Sequence, residues 1–128
     1  MTTHLCGILL FLMLPIAAGA QDWVPYANSE TGDKGFLDRA TLQVQGQSRR
    51  IWTMLERAEP VTFKGEPLKT WMARVEVHCD ERMHRSLQEA GYRPDGVMFH
   101  EARFEGPVRP IVEGTMGQIR LETICGLR

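Results

Sequence analysis

TWMARVEVHC, residues 70–79, decides how this chain folds. Trp71, Ala73, Val75, Val77 and Cys79 fall on one side of an extended backbone, and Thr70, Met72, Arg74, Glu76 and His78 on the other. A helix would scatter these apolar residues around its circumference, whereas a strand gathers them onto one face. The segment is read as a strand whose apolar face ends on Cys79, with His78 on the polar face. Cys79 could be a metal ligand, a nucleophile or half of a disulfide, and the compartment the chain reaches decides between them.

Outward from this strand, Gly and Pro punctuate the chain every ten residues or so, the pattern of short strands joined by turns. Upstream, Trp23–Ala27 with Pro25 suits an edge strand. Thr31–Gly35 is a turn, Gly35–Asp38 a strand, and Leu42–Val44 a strand ending at the Gln45-Gly46-Gln47 turn. Arg50–Glu56, with Ile51, Trp52, Met54 and Leu55, clusters β-branched and aromatic residues without helical spacing and is read as a strand. Gly65-Glu66-Pro67 turns the chain into residues 70–79.

Downstream, Met83, Leu87 and Ala90 sit at helical spacing. Pro94-Asp95-Gly96 is nevertheless a hairpin turn, and Val97-Met98-Phe99 beyond it resembles a strand. A hairpin needs a strand on both sides, so Met83–Ala90 is read as one. The end of the chain differs. Thr115 and Gln118 have capping-box spacing, Leu121, Ile124 and Cys125 share one helical face with Gly117, and Gly126 supplies a stop. These residues predict a terminal helix that presents Cys125 inward.

Residues 1–20 read as a cleaved signal peptide: Leu5–Ala17 is almost uniformly apolar, and Ala18-Gly19-Ala20 places small residues before Gln21. The apolar run is shorter than the roughly twenty residues of a membrane-spanning helix. The n-region has no Lys or Arg, so an uncleaved anchor is the competing reading. Cleavage between Ala20 and Gln21 predicts an exported domain, residues 21–128, in the periplasm or at the outer cell surface, with no transmembrane segment left. It would also remove Cys6, leaving Cys79 and Cys125 in an oxidising compartment, where an even pair in a small domain is most economically a disulfide.

The formal net charge is −1, which argues against nucleic acid as a partner. Arg49, Arg50, Arg82 and Arg85 are interleaved with acids and are read as a solvated face. No nucleophile elbow, zincin helix or phosphate-cradling glycine loop occurs, so no catalytic residue and no cofactor is assigned, and the chain is read as a non-enzyme.

Over about Trp23 to Cys125 the chain resembles the surface-adhesin protein E-like family of small exported bacterial proteins. The resemblance rests on Trp23-Val24, Phe36-Leu37-Asp38 followed by Thr41-Leu42, and Arg50-Ile51-Trp52. It continues in the strand ending at Cys79, Tyr92 before a glycine turn, and a capped helix ending in Ile124-Cys125. It implies an α+β fold: an antiparallel sheet of about six strands, with a C-terminal helix packed on one concave face and tethered by a Cys79–Cys125 disulfide. It also implies adhesion, with partners among host matrix and serum proteins or proteins of the cell envelope. Glu113-Gly114-Thr115 replaces the family's Pro-x-Ser before the helix, and the chain has only two tyrosines. No adhesive residue carries over, because the shared motif is structural.

Two other functions compete. His78, Cys79, Asp80, His84 and His100 could build a metal site in a small periplasmic metal- or haem-binding protein, with His78 and His84 meeting across a turn on the polar face. A disulfide would consume the thiolate such a site needs. The chain could also be a purely structural envelope domain. Met54, Met72, Met83, Met98 and Met116 are dispersed and read as core filling, as are Trp52 and Trp71. Ile119, opposite Leu121 on the helix, is an expected exposed residue that a homodimer seam could use.

Overall fold

The structure, a computed structural model, describes residues 21–127. The expected signal peptide, with Ala20 of its cleavage site and Cys6, lies outside the described residues. Strands β1 (Trp23–Asn28), β2 (Lys34–Gln45), β3 (Ser48–Phe63), β4 (Glu66–His78), β5 (Met83–Tyr92) and β6 (Met98–Arg103) pair in chain order into an antiparallel sheet. A two-residue strand, β7 (Arg109–Pro110), pairs with β5 beyond the end of β6, and helix α1 (Met116–Gly126) closes the described chain.

Each strand follows its neighbour because the turns between them are short. Lys64 and Gly65 both take positive φ, 49° and 79°, and join β3 to β4 as a two-residue hairpin. Glu66 and Pro67, expected in that turn, already belong to β4. At Gly96, φ 82°, the Asp95 carboxylate accepts the Val97 N–H and fixes the β5–β6 hairpin. Met83–Ala90 is a strand. It borders β4, β6 and β7, and this lateral pairing outweighs the helical spacing of its apolar residues.

Two segments run longer than the sequence indicated. The expected strands at 35–38 and 42–44 are one strand, β2, with an irregularity between Asp38 and Gln43. The Thr41 hydroxyl holds that bulge: it donates to Asp38 O and accepts the Trp52 N–H. β3 continues past Glu56 to Phe63 with a second register shift.

Leu37, Ile51, Ala73, Val75 and Val77 form one buried cluster with Leu121 and Ile124 of α1. All the strand members lie on one face, here the inner face, as the 70–79 alternation requires. Gly35 lets the Tyr26 ring lie directly against its backbone, space that a Cβ would occupy. Cys79 and Cys125 are bonded, with their Cα atoms 5.8 Å apart, so α1 is covalently attached beside the end of β4.

The capping box does not form. The Thr115 hydroxyl donates to Val112 O, and the Gln118 carboxamide accepts the N–H of Gly114 rather than that of Thr115. Gly126 is the last helical residue rather than the stop, and Leu127 takes the C-cap position.

Candidate functional site

Cross-strand register turns the outer face of the sheet, opposite the buried cluster, into rows of neighbours. One row runs Trp23, Asp38, Trp52, Arg74, Gln88, Arg103 across β1 to β6. The next row towards the His78 end is Arg50, Glu76, Arg85. On the other side lie Phe36, Met54, Met72, Ala90 and Glu101, then Glu56, Thr70, Tyr92 and Met98. The face thus has an aromatic and methionine half and an arginine half, with Gln88 between them.

In the first half, Trp23, Trp52, Met72, Tyr92 and Met98 line an open cleft of about 450 Å³. Beside Trp23 in register, Asp38 is buried, and its carboxylate accepts the N–H groups of Asp22 and Ala40. Sequence reasoning placed Trp52 in the core, but its register with Asp38 and Arg74 puts it on the outer face. Trp71 lies on the inner face and packs against the core cluster.

In the second half, Arg50, Arg74, Arg85 and Arg103 border a cavity of about 470 Å³, with Glu105 at its rim. These arginines come from four different strands, so their convergence is invisible in the linear sequence. Glu76 holds two of them. Its carboxylate is buried yet filled on both oxygens: Oε1 accepts Arg50 Nε at 2.9 Å, and Oε2 accepts Arg85 Nε at 2.8 Å and His78 Nε2 at 3.0 Å. Burial pushes the Glu76 pKa up, but the hydrogen bonds from His78, Arg85 and Arg50 outweigh it and bring it to about 2. Arg74 donates to Gln43 instead, and Arg103 stands exposed. The expectation that Arg50 and Arg85 are merely solvated is corrected, since both are fixed on Glu76.

The residues considered as metal ligands separate. Cys79 is in the disulfide, and His78 sits against Glu76 on the outer face. His84 pairs with Val77 and therefore points to the inner face, where Arg120 of α1 approaches its Nδ1 to 3.2 Å. The proposed meeting of His78 and His84 across the turn fails because their strand positions have opposite parity. His100 stacks on Trp71, with ring centroids 5.5 Å apart and planes at 14°. Among the described residues, no three His, Cys, Asp or Glu side chains converge as a metal site would require. Ile119 is exposed, as expected from its helical position, and so is Val112.

The outer face could have been anticipated in part. Met72 and Arg74 alternate with core residues in the strand that was read correctly, and Arg50, Trp52 and Met54 do so in β3. Only register, which sets Arg74 beside Gln88 and Gln88 beside Arg103, is not legible there.

Residues 23–126 match the family model described as surface-adhesin protein E. Neither the curated proteins nor the solved structures contain a match to the chain.

Proposed function

The chain belongs to the surface-adhesin protein E family, and from that premise we propose that it is an exported, non-enzymatic adhesive module that binds proteins through the outer face of its sheet. In this reading α1, held by the disulfide, occupies the inner face, and the outer face is left for a partner. The observation that carries the proposal is the pairing of an aromatic cleft, Trp23, Trp52 and Tyr92, with a four-arginine cavity on one continuous surface. Interface centres favour Trp, Tyr, Met and Arg, because large side chains bury area at low entropic cost and guanidinium groups pair with carboxylates. The partners this surface suits are proteins of the host matrix or of the cell envelope that present acidic and apolar side chains together.

Binding of the disulfide-bonded protein to immobilised extracellular-matrix and envelope protein fractions tests this. Trp52→Ala and Arg103→Glu should each weaken adsorption about tenfold or more, as truncation of an interface anchor does, with folding unchanged. Full adsorption by both variants would remove the outer face as the binding surface. Export is part of the same proposal. No helix among the described residues is long and apolar enough to cross a membrane, and cleavage after Ala20 would release the domain beginning at Gln21. The intact mass of protein taken from the native host's envelope reads this directly, and retention of residues 1–20 would contradict it.

A further inference from the structure

The inner side of β5 carries a second cleft, of about 300 Å³, which shares only Arg85 and Phe104 with the arginine cavity of the outer face. It lies between β5, the segment from Phe104 to Arg109, and α1. Its polar lining is His84, Arg85, Ser86, Glu89, Arg109 and Arg120, and Phe104 and Pro107 supply apolar surface.

Arg120 is the unusual member. It rises from α1 towards β5, and its Nε is enclosed without a hydrogen-bond partner. Among the described residues its one polar side-chain contact is the 3.2 Å approach to His84 Nδ1, and no carboxylate lies within ion-pairing distance. Burial and the Arg120 charge both lower the His84 pKa, so the ring beside the guanidinium is neutral and offers a lone pair. Burial raises the pKa of Tyr26, which lines a neighbouring pocket with Arg120, so its hydroxyl stays protonated. A buried cation that no carboxylate pairs is costly unless an anion completes it. Arg109, exposed on the rim, adds a second cation, and Arg85 a third, although it is already held by Glu76 and by Gly106 O. Glu89 is the cleft's own carboxylate, with its pKa raised by burial, and an incoming anion must sit on the Arg120 and Arg109 side, away from it.

We propose that this cleft binds a carboxylate carried on a small apolar body, with the carboxylate on Arg120 and Arg109 and the body against Phe104 and Pro107. A guanidinium presents paired donors that match the two carboxylate oxygens, and the volume suits a ligand of the size of an aromatic acid. The carboxylate could come from a free organic acid or from a peptide side chain or C-terminus.

The test is a titration of the disulfide-bonded protein with benzoate, benzamide and a short peptide ending in Phe, followed by amide chemical shifts. Benzoate should shift resonances of β5, residues 104–109 and α1, and benzamide, which lacks the charge, should not. Saturation by the peptide at lower concentration than benzoate would identify the peptide source, and the reverse order the free acid. Arg120→Met should abolish the benzoate shifts while leaving the fold as stable as before or more so, because it removes an uncompensated cation. If Arg120→Met does not fold, Arg109→Gln replaces it and should weaken benzoate binding several-fold. Equal shifts with benzamide, or benzoate shifts that persist in the variant tested, would overturn the proposal.

Discussion

Glu76 shows how one side chain can set the electrostatics of a surface. It occupies the position in 70–79 that alternation assigned to a polar, solvated face, yet it is buried and carries three charged or hydrogen-bonding neighbours. Its pKa of about 2 lies below the ordinary value of 4.5. The ionised form therefore contributes stability that is complete above pH 4.5 and is lost as the pH falls towards 2. Arg50 and Arg85 are partly exposed, so solvent screening keeps this contribution to about 1–2 kcal/mol. Glu76→Gln should flatten the acid limb of stability against pH over that window. It should also destabilise the protein by about 1–3 kcal/mol at neutral pH, by leaving two guanidinium groups without their carboxylate. Denaturant unfolding at several pH values measures both effects, and an unchanged acid limb would show that Glu76 is not held as described.

At the scale of elements, the terminal helix depends on its bridge and its buried face more than on its cap. Thr115 makes no cap hydrogen bond, whereas Leu121 and Ile124 are almost fully buried. Each such side chain contributes about 1.5–3 kcal/mol by burial. A helix of this length is marginal alone. The cross-link spans 46 residues, which in the chain-entropy model corresponds to about 4 kcal/mol. Cys125→Ser should lower stability by about 2–4 kcal/mol, and Thr115→Ala should change it by less than about 0.5 kcal/mol. Equilibrium unfolding separates the two, and a large Thr115→Ala effect would restore the capping box.

The strands that period-two alternation specifies, above all β4, were legible from sequence, as was β5 from the turn that follows it. The continuity of β2 was not, because its bulge interrupts the pattern where the Thr41 hydroxyl replaces regular pairing. The cap was misread because residue types at the right spacing do not fix where a hydroxyl points.

At the scale of the whole molecule, the two faces of the sheet differ in what they gather. The inner face holds the apolar cluster with Leu121 and Ile124, and the outer face gathers Trp23, Trp52, Tyr92 and four arginines drawn from strands far apart in sequence. Near-neutral net charge concealed this grouping, since the arginines are balanced by acids elsewhere on the chain. Site-specific photo-crosslinking shows which side of the molecule binds. A photoreactive residue replaces Gln88, midway between the aromatic and arginine halves, or Ile119, exposed on α1, before the protein is bound to immobilised matrix and envelope proteins. Binding through the outer face gives covalent adducts from position 88 and none from position 119. Adducts from 119 with none from 88 would contradict it and assign binding to the helix side of the molecule.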